Sequence, residues 1–301
     1  MNIITEDRKF GPPYFYFQGG EGINNQGFDF LQRMLLLCAK NRLSTAAAAL
    51  SYYLTLTFFP LLICLYTMLG SSYEKISSLL ELGKSLLAPD TAILLQDFLR
   101  YVSENHNGTM LFAGLVLLIS SASAAERSLH AGIGKLQGAL RFQGLSGYAF
   151  SVIFAVLFLA ALYFAVLVIL SGRDMLAILS RYLPLLDLRS SWNWLRFILL
   201  AGIELMMIWA VYEVSKTEEE KYSTFYGAVF AALALTLVSL AFSLFIGASS
   251  RYPLVYGSLA SVILLMLWLY VCCMVIYLGA AVNICLRDME KQTPANRAGE
   301  V

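Results

Sequence analysis

Five stretches of this chain are as long as a membrane-crossing helix yet carry no Asp, Glu, Lys or Arg: residues 43–73, 107–125, 142–172, 222–250 and 252–286. A sixth, between Arg196 and Glu213, holds one charged residue, Glu204. About 20 apolar residues suffice to cross the hydrocarbon core as a helix. These runs are too long for buried strands and lack the polar alternation of a membrane barrel. Lipid tolerates only helices and closed barrels, because every backbone polar group must be satisfied internally. The reading is therefore an all-α integral membrane protein with six transmembrane helices, joined by amphipathic interfacial and external-loop helices. The predicted spans are 43–70, 107–125, 145–171, 193–214, 223–248 and 254–286, inside a single membrane domain at 28–288. A polar, weakly structured segment at 1–27 precedes it, and a cytoplasmic tail at 289–301 follows.

Composition narrows the function classes. Only 14% of residues are charged and 59% are hydrophobic, where a soluble domain carries roughly 25% charged residues. A net charge of +1 provides no electrostatic footprint for nucleic acid, so no nucleic-acid partner is expected. The five cysteines are odd in number and form no C-x-x-C, which points to reduced thiols inside helices. The first 27 residues contain no apolar core of a signal peptide, so none is expected to be cleaved.

Loop charges give the direction of insertion. One side carries Arg8, Lys9, Arg33, Lys40, Arg42, Arg127, Lys135, Arg141, Lys216, Lys221, Arg287, Lys291 and Arg297. The other has Lys75, Lys84, Arg100, Arg173, Arg181, Arg189 and Arg251. Thirteen against seven places both termini in the cytoplasm. Outside the spans, residues 28–40 form an amphipathic pattern with Phe28, Leu31, Met34, Leu35 and Cys38 on one face. The first external loop reads as helices at 74–87 and 91–101, and the third loop sets Met175, Ile178, Leu179 and Tyr182 on one face. Such helices either lie in the interface and pack on the bundle or form a lid. Three spans on each side of the 173–191 loop would allow inverted repeats of the kind transporters use.

The two ends of the membrane domain resemble a known family. Ala46-Ala47-Ala48-Ala49-Leu50-Ser51-Tyr52-Tyr53, continuing to Phe58-Phe59-Pro60-Leu61-Leu62, is similar to the first span of the YihY/BrkB family. Tyr252-Pro253-Leu254-Val255-Tyr256-Gly257-Ser258-Leu259-Ala260, then Trp268-Leu269-Tyr270 and Leu278-Gly279-Ala280, is similar to its last. The resemblance implies a six-span protein of the bacterial inner membrane without a settled biochemical activity. Some members are linked with virulence or serum resistance and some with transport of outer-envelope lipids; an early ribonuclease BN label is regarded as mistaken. Two departures stand out. Gly279-Ala280-Ala281 replaces the family's Gly-Ala-Glu, and Tyr212-Glu213-Val214-Ser215 lacks the proline often found after the Tyr.

Glu204 is the outstanding candidate site residue. It lies roughly 12 to 14 Å from either flank of its span, near mid-membrane. Burying an ionised carboxylate there costs at least about 2.5 kcal/mol. Two readings follow: a proton-coupling or headgroup site, or a protonated side chain bonded to a neighbouring helix. Glu126 and Arg127 follow the small-residue stretch at 120–125. They are an interfacial anchor or a phosphate or headgroup contact, and the stretch itself suits close helix approach. Pro60 must remove one backbone hydrogen bond in the first span, by a packing kink or by a hinge at a cavity. Tyr52, Tyr53 and Tyr256 are belt or packing aromatics or cavity residues, and Asn283 is placed to hydrogen-bond across helices.

No catalytic, cofactor-binding or metal site is predicted. The two histidines, His106 and His130, read as isolated loop residues, and no H-E-x-x-H, G-x-S-x-G or P-loop occurs. The expected partners are membrane lipids and a lipid or small-molecule substrate. Homo-oligomerisation stays open, since small-residue pairs such as Ala161/Ala165 and Gly227/Ala231 also suit internal packing. The first functional hypothesis is a transporter or flippase-like protein for a lipid or other amphiphile. The rival is a non-transporting envelope scaffold or virulence factor, with a membrane-bound enzyme a distant third.

Overall fold

The computed structural model describes residues 26–68, 100, 108–138, 144–179, 188–216, 222–248 and 259–292. They form seven α-helices and, among the described residues, no strand: α1 (Gln26–Lys40), α2 (Leu43–Met68), α3 (Gly108–Gln137), α4 (Gly144–Leu179), α5 (Leu188–Ser215), α6 (Phe225–Ala248) and α7 (Leu259–Gln292). Helices α2 to α7 each hold a segment long and apolar enough to cross a membrane. The six expected spans are present. The proposed external-loop helices (apart from Arg100), Tyr182, Tyr256 and the two chain ends lie outside the described residues.

Helix α3 runs well past the charge-free stretch. It carries Glu126, Arg127, His130 and Lys135 and ends at Gln137. His130 is therefore a helical residue packed into the bundle, where the sequence reading made it an isolated loop histidine. The first residues of the third-loop segment, Met175 to Leu179, likewise continue α4. A left-handed Gly138 (φ 76°) follows α3, and a left-handed Gly144 (φ 69°) opens α4. A side chain would strain either position, and a C-terminal left-handed glycine is a common helix stop.

The best-packed region lies at one end of the bundle, the end where α1 sits. It combines the start of α2 (Leu43, Ala47, Leu50), the end of α3 (Ala125, Leu129, Ile133, Leu136) and the end of α5 (Ile208, Val211, Tyr212) with the start of α6 (Ala228, Ala231) and the second half of α7. Consecutive helices thus run antiparallel. Outward faces are apolar instead: Leu233, Leu237, Leu240 and Leu244 form an exposed stripe along α6, at the i, i+3, i+4 spacing of one helical face. Exposed apolar surface on that scale suits lipid. Helix α1 packs against α7 and α2. Its predicted apolar face divides: Met34 and Cys38 turn towards the bundle, while Leu31 and Leu35 are exposed. Leu36 joins the exposed pair, as expected of a helix lying in the interface.

Close approach fixes α6 on α7. Gly227 and Ala231 meet Gly279, and a Cβ on Gly227 would fall inside the contact radius of the Gly279 carbonyl oxygen. This pair of small residues therefore serves internal packing. Helix α2 continues unbroken through the buried Pro60 to Met68. One to two turns earlier, Thr55 and Thr57 donate to the carbonyls of Ser51 and Tyr53 at 2.8 and 2.7 Å.

Candidate functional site

A polar cluster occupies the α1 end, built on three residues of α3. Glu126 and His130 are four apart and so share a helical face, whereas Arg127 points round the helix from them. Glu126 is only 7% exposed, and a buried carboxylate needs a partner. Its Oε1 lies 2.9 Å from His130 Nε2, close enough for an ion pair but not aligned as a hydrogen bond. On the other side of the ring, His130 Nδ1 is 2.6 Å from Ser215 Oγ at the end of α5. Ser215 has one hydroxyl proton, and it donates to the Val211 carbonyl at 2.7 Å. His130 Nδ1–H must then donate to Ser215 Oγ. Phe150 and Phe154 of α4 pack edge-on to the imidazole, with ring centroids 5.7 and 5.9 Å away.

Arg127 faces α4. One terminal nitrogen donates to Ser151 Oγ at 3.3 Å, and the guanidinium lies 4.8 Å from the centre of the Tyr148 ring. Among the described residues it pairs with no carboxylate. Between these groups lies a cavity of about 190 Å³, lined by Arg127, His130, Tyr148, Ser151 and Ser215 with the glycines Gly144 and Gly147 of the first turn of α4. No carboxylate is among its lining residues, and the first turn of α4 carries no acid.

Behind the cavity the polar groups serve as fasteners. Asn283, 2% exposed, accepts from the Gly227 amide at 2.7 Å and donates to the Thr224 carbonyl at 3.0 Å. It thereby ties α7 to the first turn of α6, where amides lack partners within the helix. Thr224 Oγ1 donates to Glu213 at 2.5 Å. Tyr212 donates to the Ile276 carbonyl at 2.6 Å, and Tyr277 to the Ser128 carbonyl at 3.1 Å. Lys216 and Arg287 both lie over the Tyr222 ring.

Of the predicted site residues, the structure brings Glu126 and Arg127 to the cavity region. Asn283 does hydrogen-bond across helices and lines a much smaller gap of about 10 Å³. Tyr52 is exposed, with its ring edge-on to the half-buried Tyr53 at 5.5 Å, and Pro60 lies in the packed part of α2. Glu204 is half-buried on α5 within electrostatic reach of Cys272 on α7. It has no hydrogen bond or ion pair among the described residues, and it lines neither of these two cavities. The cavity residues that the sequence reading missed are His130, Tyr148, Ser151 and Ser215. Only His130 left a usable signal, its i, i+4 spacing from Glu126.

Residues 37–300 match the sequence profile of the family described as Virulence factor BrkB. The ribonuclease-like protein YfkH of Bacillus subtilis (strain 168) is 26% identical over 89% of this chain and 98% of its own length. A UPF0761 membrane protein of Vibrio vulnificus (strain CMCP6) is 25% identical, covering 89% of this chain and 86% of its own. Another, from Haemophilus influenzae (strain 86-028NP), is 23% identical over 90% and 98%. No solved structure matches the chain.

Proposed function

Since this chain belongs to the BrkB family of membrane proteins, we propose that it moves a lipid or other amphiphile within the bacterial inner membrane, as a transporter or flippase-like protein. Both termini would face the cytoplasm, which makes the α1 end the cytoplasmic end. The observation that carries the reading is the polar cavity among Arg127, His130, Tyr148 and Ser151, set in a bundle whose outer surface is apolar. Pockets that enclose a drug-sized ligand measure about 300–1,000 Å³, so a cavity of about 190 Å³ takes a headgroup and leaves the tails in the bilayer. Glu204 enters as a separate proton-coupling carboxylate, supported by its half-buried place without a partner among the described residues. We take the chain to be non-enzymatic. That part rests on the absence of catalytic motifs in the sequence and on the UPF0761 relatives, which carry a membrane-protein name, although the YfkH relative is named ribonuclease-like.

A scaffold reading has its own support in the close-packed contact between Gly227 and Gly279. Reconstitution separates the two. Tail-labelled phospholipids in proteoliposomes, exposed to a membrane-impermeant quencher, should change leaflet faster than in protein-free vesicles. Glu204→Gln should alter that rate without lowering stability. No acceleration with any headgroup would leave the scaffold.

A further inference from the structure

The cavity between α3 and α4 carries a positive charge, and among the described residues no carboxylate lines it. Arg127 supplies a permanent cation, and its partners leave part of it available. Ser151 takes one terminal nitrogen and Tyr148 lies over the guanidinium face. The remaining in-plane N–H groups have no partner among the described residues. A guanidinium edge of this kind matches two oxygens of a tetrahedral oxyanion. Glu126, the acid beside Arg127 in sequence, lies 2.9 Å from His130, and it does not line the cavity.

Three further features favour the same ligand. Gly144 and Gly147 bring the first turn of α4 to the cavity wall without side chains, so a ligand can approach backbone amides at the positive end of a 36-residue helix. The hydroxyl of Tyr148 adds a neutral hydrogen-bonding group to the lining, whereas those of Ser151 and Ser215 donate to their own helices. The flank of α4 beside the cavity is apolar and open, with Leu145 86% and Ile153 61% exposed. An anion seated there would have a greasy surface alongside it for attached acyl chains.

We infer that the Arg127 cavity is a phosphate site whose ligand is the phosphomonoester or phosphodiester headgroup of a membrane lipid. This deepens the transport reading above and rests on its assignment of the cavity to a headgroup. Free phosphate offers the same chemistry, so the test must separate the two sources.

The test is binding of tail-labelled lipids to the purified full chain in detergent micelles, read by fluorescence anisotropy. The probes are phosphatidate, phosphatidylglycerol and diacylglycerol with identical tails. The two phosphate-bearing lipids should bind at least about tenfold more tightly than diacylglycerol, as expected when charged hydrogen bonds are gained. Arg127→Gln should abolish that preference and Arg127→Lys should keep part of it, with gel filtration and circular dichroism confirming the fold. If Arg127→Gln does not fold, Arg127→Lys is read alone and should reduce the preference several-fold, since it keeps the charge and loses the two-pronged edge. Excess inorganic phosphate that displaces phosphatidate would support a phosphate site with the free ion as ligand; failure to displace it supports the lipid. Equal binding of all three lipids, or a preference unchanged in a folded Arg127→Gln, overturns the inference. Phosphate preference without leaflet movement would refute transport and leave this site standing. Leaflet movement indifferent to headgroup and to Arg127→Gln would do the reverse.

Discussion

Replacing Gly227 with alanine adds one methyl group where α6 crosses close to α7. The new Cβ would overlap the Gly279 carbonyl oxygen and sit 2.5 Å from Asn283 Cγ. Neither neighbour can step aside easily. The first is backbone, and the second is held by hydrogen bonds to Gly227 and Thr224. Helices α6 and α7 must therefore separate. Overpacking of this kind costs about 1–3 kcal/mol. Parting the helices also weakens the bond from the Gly227 amide to Asn283, worth about 0.6 kcal/mol on the average for interhelical bonds in a membrane. The sum is a destabilisation of about 2–4 kcal/mol.

The assay is unfolding in mixed micelles by titrated dodecyl sulfate, followed by far-ultraviolet circular dichroism. Gly202→Ala is the matched control, because a Cβ there meets nothing within 4 Å. Alanine is also the better helix former, so the control should be neutral or slightly stabilising. A Gly227→Ala protein within about 0.5 kcal/mol of wild type, the scatter of surface substitutions, would refute the close-packed α6/α7 crossing.

Three more outcomes follow from the same contacts. Asn283→Ala should cost about 1–2 kcal/mol in the same titration, since it strands the Gly227 amide and the Thr224 carbonyl; a neutral result would mean that Asn283 is not a fastener. Tyr277→Phe removes the bond to the Ser128 carbonyl while preserving the buried ring, and should cost about 0.5–1.5 kcal/mol, with the α-helical signal unchanged before the transition. Cys38 lies on α1 outside the spans, where burial pushes its thiol above the ordinary value. Less thiolate is then present at any given pH, so maleimide labelling of a variant retaining only Cys38 should rise with pH at a higher midpoint than a free thiol; a midpoint at or below that of the free thiol contradicts the burial.

The six spans were legible because lipid imposes a simple requirement, a long run without charge, and hydropathy reads it directly. The ends of the helices were not. Glu126, Arg127 and Lys135 look like loop residues to a count of charges, yet α3 carries them through to Gln137 because a packed bundle end supplies partners that lipid does not. Of the cavity lining only Arg127 was legible, because it stands with Glu126 as a charge at a span boundary. Ser151 and Ser215 do not. A serine in an apolar helix usually bonds its own backbone, as both of these do, and their roles at Arg127 and His130 arise from contacts 24 and 85 residues away in sequence. Asn283 was correctly read as a cross-helix residue, but its partner, a helix start, could be seen only in three dimensions.

The bundle is fastened unevenly, and the unevenness bears on how a headgroup would enter. Helix α7 is tied to three neighbours by side chain to backbone bonds, through Tyr212 to α5, Tyr277 to α3 and Asn283 to α6. Such bonds hold helices at a fixed distance and register. Helix α4 meets α3 through side chains. Its N-terminal end meets α3 through the 3.3 Å contact between Arg127 and Ser151 and through the rings around His130. The long contact at Ser151 and the cation over Tyr148 are also the ones a phosphate would compete for. Occupying the cavity would therefore exchange bonds across the α3/α4 seam for bonds to the ligand, while the α7 fasteners stay intact. Under the proposed function, a headgroup in the cavity acts on the α3/α4 seam, while α7 holds α3, α5 and α6 through its own bonds.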